Sequence, residues 1–149
     1  NNRFRRAAFA YFRHDISPRL TPMSFDLHAG HSLLQILAHV CIAFLFLYRG
    51  ITAFPQFGEH METMRSHRVP FPKFVLYCGF AVMLLGGLSV LFDFYVWIGA
   101  RMLVVFTVLA NVLYHDFWVM TKPRQKQTHL WIFCNNIAVT GGLLLVISL

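Results

Sequence analysis

The stretch FVLYCGFAVMLLGGLSVLFDFYVWIGARMLVVFTVLANVLYHDFWVM, Phe74 to Met120, decides the fold. It holds two apolar runs, Phe74 to Phe92 and Val96 to Met120, separated only by Asp93 to Tyr95. A helix needs about 20 mostly apolar residues to cross about 30 Å of hydrocarbon, so each run can span a bilayer. So short a connection makes the pair an antiparallel hairpin. Working outward, Ser32 to Phe54 and Leu130 to Leu149 have the same length and few charges. The sequence therefore predicts an all-α integral membrane four-helix bundle over residues 32–149, preceded by a basic amphipathic interfacial segment at 1–31.

Hydrophobic residues fill 57% of the 149 positions against 13% charged, a balance far more apolar than soluble domains carry. Pro55 to Lys73 and Thr121 to His129 read as loops too short for a second domain. A net charge of +7 would suggest nucleic acid for a soluble domain. Here the Lys and Arg side chains stand at span ends and in loops, where they suit anionic lipid, so nucleic acid is not an expected partner. Cys41, Cys78 and Cys134 lie inside spans without CxxC or other metal-ligand spacing and read as small buried thiols. The pairs Gly86–Gly87 and Gly141–Gly142 read as sites of close helix approach.

In the amino-terminal segment, Phe4, Ala8, Tyr11, Phe12 and Ile16 share one helical face, with Arg3, Arg6 and Arg13 on the other. Such a helix lies in the headgroup plane or docks on a partner. Its Arg-rich, acid-poor composition also resembles the remainder of an organelle transit segment. Ser24, Asp26 and Ser32 are expected helix caps before the first span. Basic residues near the spans concentrate in the two longer loops, which places those loops in the cytoplasm or matrix and both termini opposite.

Polar side chains inside spans are costly, and their grouping points to a site. Arg49, Asn111, His115, Asp116, Asn135 and Asn136 all fall in the leaflet facing the two longer loops, where Glu59 and His60 can close over them. The expected ion pair there is Arg49 with Asp116. In the other leaflet, Asp93 and Arg101 are expected to brace the hairpin. His39 and His115 fall in opposite leaflets, on the order of 10 Å apart along the normal, so they cannot both ligate one haem iron. His28 and His31 are separated by Gly30 with no carboxylate at ligand spacing, so no metal is expected.

Several short runs together resemble the DoxX family of small four-helix membrane proteins: AFLFLYRG at Ala43–Gly50, Val69-Pro70-Phe71-Pro72, Leu85-Gly86-Gly87-Leu88, His115-Asp116-Phe117-Trp118 and NNIAVTGGLL at Asn135–Leu144. They run from about Ser32 to the end. That family is similar to the small membrane subunit of thiosulfate:quinone oxidoreductases, and other members are regarded as membrane partners of redox proteins. The resemblance implies a bundle in an energy-transducing membrane, the bacterial cytoplasmic or mitochondrial inner membrane. It names no catalytic residue.

The absence of a phosphate loop, nucleophile order or paired catalytic carboxylates favours a non-catalytic membrane accessory subunit, and the resemblance implies that its complex is a respiratory or redox one. Its expected partners are other integral membrane subunits and anionic lipid, engaged through Arg3, Phe4, Arg6, Tyr11, Phe12 and Arg13, with no resident cofactor. The alternative is a quinone-linked oxidoreductase subunit in which the Arg49 cluster binds the headgroup and His115 titrates. The topology has a direct check. In a cysteine-free background, His60→Cys and Gln125→Cys are each expected to label from the same face of intact membranes, and labelling from opposite faces would exclude four spans.

Overall fold

The computed structural model describes residues 28–149. The docking residues Arg3 to Arg13 and the caps Ser24 and Asp26 lie outside the described residues. Five α-helices follow: α1 Leu33–Ala53, α2 Phe57–Ser66, α3 Pro72–Leu91, α4 Val96–Tyr114 and α5 Pro123–Ser148, with a 3-10 turn at Phe117–Val119 before α5. Four of them, all but α2, are long and apolar enough to cross a membrane. The protein is an all-α membrane bundle.

Ser32 caps α1 as the sequence suggests. Its hydroxyl accepts from Gln35 N at 3.3 Å, and the Gln35 side chain answers by accepting from Ser32 N at 2.7 Å, a reciprocal capping box that satisfies two orphan donors. Pro72 and Pro123 occupy the first turns of α3 and α5, where a missing N–H costs nothing. α3 packs against both α1 and α4, and α4 packs against α5; α1 touches α5 only lightly.

The α3–α4 hairpin turns within residues 92–95. Asp93 and Tyr95 adopt left-handed backbone with φ of 53° and 47°, a conformation that costs roughly 1–3 kcal/mol for residues other than glycine. Ser89 offsets that cost by donating its hydroxyl to the carbonyls of Phe94 and Tyr95 at 2.7 and 3.2 Å. Just below the turn the helices touch through glycine. A β-carbon on Gly99 would collide with Ser89, and one on Gly86 would sit 2.7 Å from Leu103 Cγ. In the second expected pair, Gly141 is exposed with open space beside it, and a β-carbon on Gly142 would touch Ile42 of α1 at an ordinary 3.5 Å, so that pair makes a looser contact than the first.

Three expectations change. The residues after Pro55 are not all loop, because Phe57, Met61 and Met64 form an apolar stripe along α2. Met61 and Met64 bury against Leu76 of α3, with Leu113 and Tyr114 of α4 alongside. The third span leaves α-helical geometry at His115, and the last helix begins at Pro123 rather than Leu130. Cys41, Cys78 and Cys134 are exposed; they lie on the outer faces of membrane helices, where lipid replaces the packed interior expected for them.

Glycine packing makes a clear expectation. Gly86→Ala should destabilise the bundle by about 1–3 kcal/mol through overpacking, whereas Gly141→Ala should stay within about 0.5 kcal/mol, both read by thermal unfolding in detergent micelles.

Candidate functional site

At the end of the bundle that carries α2, polar side chains converge from four helices. Asn111, one turn from the end of α4, is buried; its amide donates to the Phe133 carbonyl at 3.2 Å and its oxygen accepts from Asn136 at 2.9 Å. Such interhelical bonds contribute about 0.6 kcal/mol on average within a membrane. Asn135 is exposed, because neighbouring helical positions point about 100° apart and only one of the two asparagines can face α4.

His115 follows where α4 ends, with its Nδ1 at 3.3 Å from His129 Nδ1. The His129 Nδ1 also lies 3.1 Å from the Tyr114 carbonyl. A carbonyl can only accept, so His129 Nδ1 carries the proton and His115 Nδ1 accepts. His60 of α2 completes the group, with Nδ1 at 3.1 Å from the Tyr114 hydroxyl.

These groups border a cavity of about 700 Å³ that reaches along α3 and α4. Arg49, His60, His115 and Asn136 line it, and Arg101 lies toward its other end. Most of the remaining wall is apolar. Phe74, Val105 and Leu109 belong to that wall and are also exposed on the outer surface, so the cavity opens sideways toward lipid. His60 Nε2 is buried without a hydrogen-bond partner. Burial, aided by the Arg49 charge and opposed by Glu59, holds the His60 imidazole below its usual pKa and leaves the ring neutral near pH 7.

Two expected ion pairs do not form. Asp116 meets His67 Nε2 at 3.2 Å instead of Arg49, because the chain leaves helical geometry at His115 and brings the carboxylate toward the end of α2. Among the described residues, no carboxylate lies within ion-pairing distance of Arg49. At the opposite end Asp93 faces His31 Nδ1 at 3.7 Å, while the Arg101 guanidinium sits 5.2 Å from the Trp97 ring centre, a cation–π contact. Glu59, expected to help cover the cluster, is exposed. His28, His31 and His39 come together at that opposite end, a grouping that sequence spacing did not suggest.

The His67–Asp116 contact is sensitive to pH. The Thr63 carbonyl and then the Asp116 carboxylate raise the His67 pKa above its usual 6.5. A raised folded pKa means the stabilising charge is fully present below about pH 6.5 and is lost as pH climbs through the raised value. Asp116→Asn is expected to lower the His67 titration midpoint, though the Thr63 bond remains, and to weaken the pH dependence of α2 docking. Nuclear magnetic resonance of ring-labelled histidine reads both; an unchanged midpoint would contradict the contact.

The DoxX family model matches residues 34–116, more than half of the chain, and covers α1 through α4 together with Arg49, Asn111, His115 and Asp116. No curated protein and no solved structure matches the chain. On the strength of that match and the four-span bundle, this chain belongs to the DoxX family.

Proposed function

We propose that this DoxX protein is a membrane subunit of a redox complex that holds a quinone-class molecule in the cavity beside Arg49. One observation carries the reading: a guanidinium with no carboxylate partner among the described residues borders an otherwise largely apolar cavity that opens toward lipid. An arginine at the centre of a span costs about 2.5–3.5 kcal/mol on insertion scales; Arg49, one turn from the end of α1, bears a smaller cost, which an electron-rich headgroup offsets by accepting its hydrogen bonds. A quinone carbonyl oxygen would accept from Arg49. The neutral His60 offers its buried, unpartnered Nε2, and His115 borders the same space. The isoprenoid tail would leave past Phe74, Val105 and Leu109. These residues bind and orient a ligand, and the setting implied is an energy-transducing membrane.

A second reading needs no ligand: a non-catalytic accessory subunit bound to other integral subunits and anionic lipid. It is favoured by α5, where only Leu143 and Val146 are buried while Trp131, Ile137 and Leu145 are exposed. The two readings separate on extraction of the purified protein. A copurified quinone, or binding of a short-tail quinone analogue that Arg49→Gln weakens at least about tenfold, a loss of about 1.4 kcal/mol, supports the cavity reading. No extracted quinone and no analogue binding, with comigration alongside other membrane subunits, would replace it with the accessory reading.

A further inference from the structure

The end of the bundle away from this cavity holds a second polar cluster. His28 and His31 precede α1, joined by a turn in which His31 N donates to the His28 carbonyl at 3.1 Å and Gly30 takes a φ of +84°. That turn folds the two rings back onto His39, which projects from the second turn of α1 and is completely buried. The ring centres lie 5.9 Å apart for His28 and His31, 5.2 Å for His28 and His39, and 5.0 Å for His31 and His39, the last pair stacked.

Two of the three rings have one nitrogen placed against a backbone carbonyl. His28 Nε2 lies 2.9 Å from the Leu91 carbonyl, and His39 Nδ1 lies 2.8 Å from the Gln35 carbonyl. Those carbonyls can only accept, so these nitrogens carry the protons and leave the lone pairs on His28 Nδ1 and His39 Nε2. Among the described residues, both of those atoms are buried with no hydrogen-bond partner, and so is His31 Nδ1. His31 Nδ1 faces the Asp93 carboxylate at 3.7 Å. One nitrogen from each of the three rings lies within 4.8 Å of the others.

Buried imidazoles with free lone pairs pointing nowhere carry a desolvation cost that ordinary packing does not offset. A ligating histidine characteristically turns its second nitrogen to a backbone carbonyl or a carboxylate, and that is the pattern for His28 and His39, while His31 has the Asp93 carboxylate nearby at 3.7 Å, beyond hydrogen-bond distance. Tetrahedral sites with bonds of about 2.0–2.1 Å hold their nitrogens about 3.4 Å apart, and the three nitrogens here lie within 4.8 Å of one another before any ion draws them in. We infer that His28, His31 and His39 form a binding site for one divalent first-row transition ion of the zinc or copper class. Three imidazoles leave the fourth position open to water or a small ligand. Asp93 is a positioning residue that orients His31.

The site is independent of the quinone reading, since none of its residues borders that cavity. Its test uses the full chain in detergent, freed of any polyhistidine tag and stripped with a chelator. Zn²⁺ titration is expected to give one ion per chain. Cu²⁺ should show electron paramagnetic resonance hyperfine structure from three imidazole nitrogens. His31→Gln and His28→Gln, at the mouth of the site, should each weaken Zn²⁺ binding at least tenfold and remove one nitrogen from the copper spectrum. Asp93→Asn should weaken binding about tenfold or more with the nitrogen count unchanged. His67→Gln, at the other end of the bundle, should change nothing. His39→Gln is read only alongside circular dichroism, because its ring is part of the packed interior. Failure of the wild-type chain to bind Zn²⁺ at micromolar concentration would overturn the site. Equal losses from His67→Gln and His31→Gln would also overturn it by showing scattered surface coordination.

Discussion

The close approach of α3 and α4 is the contact from which the rest of the bundle is built. In hydrocarbon there is no hydrophobic drive to hold helices together, so association depends on van der Waals contact at close range. Gly86 and Gly99 permit that range, and Ser89 locks the strained turn above them. With this end closed, Asp93 is held beside His31 and the Leu91 carbonyl is held beside His28. Farther along the same helices Gly79 faces the Phe106 ring, and these residues with Phe80 and Tyr114 border the cavity.

Polar satisfaction sorts the remaining side chains into structural and functional groups. Asn111 and Asn136 spend their capacity on each other and on a backbone carbonyl. Thr107 and Thr140 each donate to the carbonyl four residues back in their own helices. The asparagine bonds tie two helices of the bundle together. Arg49, His60, His28 and His39 differ, because each keeps a charge or a buried nitrogen without a protein partner. The two ends of the bundle thus have different chemistry: a cation and a neutral imidazole beside an apolar cavity at one, and three converging histidine rings at the other.

Much of the bundle was legible because span length and apolar composition are imposed by the bilayer itself. The short α2 was not, since Glu59, Glu62 and Arg65 mask its stripe; the spacing of Phe57, Met61 and Met64 at i, i+4 and i+7 is the signal that identifies it. The start of α5 was hidden by its basic first turns, though Pro123 marks it. Arg49, His115 and Asn136 line one cavity, but which carboxylate meets which base depends on where α4 stops. The histidine cluster was hidden because His28 and His39 are eleven residues apart in sequence, and only the turn at Gly30 brings them together.

The length of α5 has a consequence for how the protein sits in lipid. Its 26 residues extend about 39 Å at 1.5 Å per residue, against about 30 Å of hydrocarbon. The surplus is its first two turns, where Arg124 and Lys126 follow Lys122. These turns stand at the phosphate layer and anchor that end of the helix. With its start fixed there, α5 must tilt in a thin bilayer and straighten in a thick one. Because α5 touches α1 only lightly, that adjustment falls on the α1–α5 seam, so membrane thickness acts on the one junction of the bundle least able to resist it.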